Sequence, residues 1–231
     1  MFISIPQKKA LLVFLTLAAT SALAAESVDV KVSGTISPAA CMPAISGGGI
    51  IDYGMIKADT LSADSYTTLE QKTLNFSISC KAPTKVYIHM MNGRPGTTAG
   101  ADEGAGGAAY APTPLFNIAN YPAVGLGVDG TVNIGGYGLA LADVSADSKD
   151  VSLIYMIPYV PGWHPKPNSS FYTHDSDTLT SWSEQGSTIP LAFENLQGKI
   201  QVEAYLNKGS ELDLTHDIQL DGLSTLELYY Q

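Results

Sequence analysis

The residues of this chain with the most specific chemistry are four histidines, two cysteines and a band of aromatic side chains. His89, His164, His174 and His216 are scattered, and the one local polar cluster is His174-Asp175-Ser176-Asp177. A metal needs donors that converge, from helical i, i+4 spacing or from a calcium loop turning on glycine, and this cluster has neither. It reads as a solvated turn. No Gly-x-Ser-x-Gly nucleophile motif occurs, nor a phosphate loop of the Gly-x-x-x-x-Gly-Lys type, nor a dinucleotide fingerprint following a strand. The expectation is a protein that is not an enzyme and holds no metal or cofactor.

Cys41 and Cys80 are an even pair with one connectivity, and too few other ligands lie near them for zinc. In an oxidising compartment they are expected to pair; two free buried thiols are the other reading. The aromatic band comprises Tyr155, Tyr159, Trp163, Phe171, Tyr172 and Trp182, part of it within VPGWHPKPNSSFY. Aromatic rings on such loops stack on sugars or partner surfaces, which makes Trp163 and Trp182 the candidate ligand loop. The other reading has the same rings covering a core.

The elements that position these residues follow from composition and period. With 45% apolar and 15% charged residues, the chain can bury a core and is not a disordered tail. Its formal charge of −10 argues against nucleic acid or an anionic lipid surface as partner. Few charges beside 22 glycines and 13 prolines suit turn-rich β structure.

Lys8 and Lys9, an apolar stretch from Ala10 to Ala19 and the triplet Ala22-Leu23-Ala24 have the order of a secretory signal peptide, expected over residues 1–24. The stretch is shorter than the roughly 20 residues that span a bilayer. Beyond it, period-2 alternation dominates. Val28, Val30, Val32 and Ile36 share one parity; Leu74, Phe76 and Ile78 alternate before Cys80, and Val86 and Ile88 after it. Further strands are predicted over Val151–Tyr159, Ile189–Phe193 and Lys199–Tyr205, and at the chain end, where Ile218, Leu220, Leu226, Leu228 and Tyr230 share a parity. Turn-rich clusters between them suggest an all-β sandwich. The glycine- and alanine-rich stretch at about 92–114 reads as a large surface loop inserted in one domain rather than a linker between two.

Four pieces of the chain carry a family resemblance: VKVSGTISPAAC over 30–41, LNFSISC over 74–80, PAISGGGIIDYG over 43–54 and LELYYQ over 226–231. The first two resemble the disulfide halves of chaperone-usher fimbrial subunits, and the last resembles their terminal strand. The third is similar to a fimbrial-like family described as β-fimbrial major subunits. Two departures stand out: Gly222 lies later than the glycine of the familiar terminal strand, and the chain is longer than a typical structural pilin.

The resemblance implies an incomplete immunoglobulin-like β-sandwich with enlarged mid-chain loops over residues 38–231, preceded by a donor-strand extension over 25–37. It further implies a structural subunit exported to the periplasm and placed in a surface fimbrium. Its partners would be neighbouring subunits joined head-to-tail, a periplasmic chaperone and an outer-membrane usher. Val28, Val30, Val32, Gly34 and Ile36 would form the donor strand, while Leu226, Leu228 and Tyr230 would line the groove and meet the chaperone. The rival expectation is a monomeric exported binding module that takes a glycan through its aromatic loops.

Overall fold

The computed structural model of the protein describes residues 31–33 and 40–231, which fall into two units divided between Ser37 and Pro38. In the first unit, Lys31, Val32 and Ser33 have no strand geometry, and Val32 is exposed. The predicted signal peptide and donor-strand positions Val28, Val30, Gly34 and Ile36 lie outside the described residues.

The second unit is built from strands β1 (Cys41–Ile45), β2 (Lys72–Thr84), β3 (Val86–Asn92), β4 (Pro122–Gly125), β5 (Gly135–Ala146), β6 (Ser152–Met156), β7 (Leu179–Ser183), β8 (Phe193–Leu206) and β9 (Ser224–Tyr230). Shorter two-residue pairings lie between them. Among the described residues, helical geometry is confined to the 3-10 turns Ser46–Gly49, Ala58–Thr60 and Gly209–Glu211. One sheet has the order β1-β2-β8-β5-β4, extended by Ala109–Tyr110. The other runs from His164–Pro165 through β6, β7 and β3 to β9. All pairings between these strands are antiparallel. The all-β sandwich expected from the alternation is the fold observed.

Alternation accounts for how the sheets face one another. In β2, Phe76 and Ile78 are buried while Thr73, Asn75 and Ser79 are exposed, as a half-buried strand requires. Val86, Ile88 and Met90 of β3 and Leu196, Ile200 and Val202 of β8 close the same core. Trp182 sits at its centre, wholly buried and edge-on to Phe193 at 5.8 Å between ring centroids. Cys41 lies directly opposite Cys80 in the β1–β2 ladder, and the two form the expected disulfide.

Three expectations are corrected. The segment 92–114 is not simply a surface loop: its Ala99 and Ala111 are buried with Leu115, Tyr121 and Tyr205 in a second small core. Residues this small let the main chain lie against a sheet, and Glu103 ties the stretch down, accepting from Thr98 Oγ1 at 2.7 Å and Gly96 N at 2.9 Å. The strand predicted over Val151–Tyr159 stops at Met156, two residues before Pro158, where proline disfavours continued pairing. The strand predicted over Ile189–Phe193 is absent before Phe193, Ile189 is exposed, and Pro190 supplies no ladder donor.

Candidate functional site: an open groove between the sheets

β1 ends one sheet and β9 ends the other, and between these edges the sandwich is open. The opening is a groove of about 1090 Å³. Its floor is apolar, made by Leu74 of β2, Leu139 of β5 and Ile200, Val202 and Leu206 of β8. Met90 and Leu226 come from the opposite sheet. The charged residues that reach it, among them Asp52, Lys57 and Asp217, are exposed. Their place is the rim, because a charge on the floor would lose its water without a partner.

Two extended segments wall the groove. The first follows β1, with Ile51, Tyr53 and Ile56 half-buried; the second leads into β9, with Ile218 and Leu220 half-buried. Among the described residues, 51–56 and 218–220 make no main-chain to main-chain hydrogen bond. Peptide groups seek partners, so apolar side chains and main chain that is unpaired among the described residues line the same opening. That combination is suited to one more strand.

The second wall is clamped at its far side. The Arg94 guanidinium donates through Nε to Asp221 Oδ2 at 2.8 Å and through Nη2 to Oδ1 at 2.7 Å. The guanidinium holds the Asp221 carboxyl below the usual carboxylate range. Asp221 N donates to Leu126 O at 2.9 Å, and Gly93 N donates to Leu223 O at 2.8 Å. Gly222 sits between them against Tyr137, where a Cβ would lie 2.8 Å from the ring. Ser224 then meets two phenols, Tyr137 and Tyr172, each at 2.6 Å. Burial pushes the Tyr137 phenol up to about 12 and that of Tyr172 higher still. On the first wall, burial likewise pushes Tyr53 up to about 12.

The predicted groove residues divide. Leu226 lines the opening, whereas Leu228 packs against the core beside it. Tyr230 is exposed at the end of β9, where its hydroxyl accepts from Cys41 N at 2.9 Å and links the two edge strands. The predicted aromatic loop does not come together. Trp182 is a β7 core residue with no exposed surface, which removes it as a ligand contact. Trp163 is half-buried beside Tyr87, 6.1 Å between centroids.

The histidines are separate too: His89 pairs with Asp177 at 2.7 Å, His174 with Asp175 at 2.8 Å and His216 with Asp129 at 3.1 Å. Among the described residues, no group of three or more His, Cys, Asp or Glu is placed to hold a metal ion. The sequence reading missed the first wall, where Ile51 and Tyr53 alternate after three glycines, too briefly to read as an element; it placed Ile218 and Leu220 of the second wall in the terminal strand, which begins only at Ser224.

A family model described as "Protein of unknown function (DUF1120)" matches residues 30–138. The chain is 26% identical to "Uncharacterized protein YhcF" of Escherichia coli K12, over 92% of this chain and 94% of that one. It is likewise 26% identical to "Protein GltF" of the same organism, over 94% of each. The family match takes in the first groove wall, 51–56.

Proposed function

We propose that the protein is a structural subunit of a surface fimbria, exported to the periplasm and joined to its neighbours by donor-strand exchange with the help of a chaperone and an usher. The observation that carries the reading is the apolar groove between β1 and β9, whose walls have main chain that is unpaired among the described residues. A sheet edge of this kind invites pairing or aggregation unless it is filled, and adding a strand satisfies backbone and side chains together. Residues 28–36, with Val28, Val30, Val32 and Ile36 on one parity, are an insert of matching pattern. Each apolar side chain buried is worth roughly 1.5–3 kcal/mol before ordering costs. A contact that joins one end of a copy to the groove of the next does not close, so it propagates as a filament.

The test is size analysis of the mature protein after periplasmic production with and without a pilus chaperone, followed by deletion of residues 25–36. The expected result is a one-to-one chaperone complex that converts to SDS-resistant ladders only when 25–36 is present. A cooperative monomer that needs no chaperone and never forms ladders overturns the reading.

A further inference from the structure

We propose that Lys31 of one copy pairs with Glu227 of the next and thereby sets the register of the inserted strand; the proposal rests on the donor-strand reading above. Register is the problem that apolar burial leaves unsolved. A two-residue slide of the insert keeps the parity of Val28, Val30, Val32 and Ile36, so each side chain still faces the groove. Something on the outward face must tell these registers apart.

β9, the strand beside the opening, contains one charged residue, Glu227. It faces outward, paired in register with His89, while Leu226 and Leu228 on either side face the core. Its carboxylate accepts the Tyr229 hydroxyl at 2.5 Å, and the nearest nitrogen of a basic side chain is His89 Nδ1 at 3.9 Å. His89 is already engaged through Nε2 with Asp177 at 2.7 Å. Two carboxylates therefore share one imidazole, and among the described residues no lysine or arginine comes within 4.0 Å of Glu227. The outer face of β9 therefore has an excess of negative charge among the described residues.

The insert supplies the complement. With its even positions in the groove, Asp29, Lys31, Ser33 and Thr35 point outward beside β9. Lys31 is the sole basic side chain in residues 25–40 and is exposed. Placed opposite Glu227 it forms a cross-strand ion pair. A slide of two residues one way puts Asp29 there, a like-charge pair, and the other way puts Ser33 there. In a chain of net charge −10, whose copies repel one another, this single attraction picks one register of three.

The experiment uses full-length mature chains produced with a pilus chaperone. Copies with Glu227→Cys are mixed with copies bearing Asp29→Cys, Lys31→Cys or Ser33→Cys, and intermolecular disulfides are scored. The 31–227 pair is expected to cross-link in preference to both others. Lys31→Glu or Glu227→Lys alone is expected to reduce SDS-resistant ladders by about fivefold at low salt, and the two reversals together to restore them. Chaperone complexes of unchanged yield show that the variants fold. If cross-linking favours 29 or 33, or reversal leaves the ladders unchanged, the ion pair is refuted while donor-strand assembly stands. If the wild-type chain forms no ladder, both readings fall.

Discussion

Tyr121 and Tyr137 are buried phenols whose ionisation burial pushes from 10 up to about 12. Between those values the unfolded chain loses its phenolic protons first, so the folded state binds more protons and stability falls as pH rises. The slope is about 1.4 kcal/mol per pH unit for each such tyrosine. Lys166, held near 8 by burial, acts in reverse between its folded and unfolded values. The expected outcome is a urea midpoint that rises between pH 8 and pH 10 and falls steeply by pH 11.5; a flat midpoint contradicts it. Gly135 makes a second prediction at this scale. A Cβ there would lie 2.1 Å from Tyr205 O in the neighbouring strand, and backbone cannot rotate away as a side chain can. Gly135→Ala is expected to cost about 1–3 kcal/mol, measured as a lower denaturation midpoint with m unchanged.

β1 is five residues long, ends its sheet and has mostly exposed side chains, so apolar burial holds it weakly. Its anchors are covalent and polar: the Cys41–Cys80 disulfide to β2 and the Tyr230 hydroxyl from β9. The disulfide closes a separation of 39 residues, for which chain entropy gives roughly 4 kcal/mol. Cys41→Ala with Cys80→Ala is expected to lose most of that in urea unfolding and to speed hydrogen exchange in β1 before β2. Tyr230→Phe removes one neutral hydrogen bond and is expected to cost about 0.5–1.5 kcal/mol. Loss from Tyr230→Phe equal to that from the cysteine variant contradicts this ranking.

Across the described part of the sandwich, the edges at β1 and β9 flank an apolar opening. A folded protein with a groove of about 1090 Å³ lined by Leu, Ile and Val is expected to bind the dye ANS without being unfolded, since the dye reports accessible apolar surface. A synthetic peptide of residues 25–37 is expected to displace it, and the same peptide with Val30→Asp and Val32→Asp is not. Dye fluorescence that neither peptide alters contradicts strand insertion at this site.

Period 2 exposed the fold class because a strand half-buried in a sandwich must alternate, as Phe76 and Ile78 do against Asn75 and Ser79. It marked Leu226 for the same local reason, while the cysteine pair followed from an even count with one connectivity. It left Trp182, an aromatic next to a loop-like stretch, open between a ligand loop and a core, because burial depends on what packs from the other sheet. It failed over 92–114, where glycine and alanine suggest a loop and Glu103 and Tyr205 make a packed layer. The groove was least legible of all. Its walls, 51–56 and 218–220, have no ladder among the described residues, and a gap between distant segments exists only once two sheets stop short of covering one another.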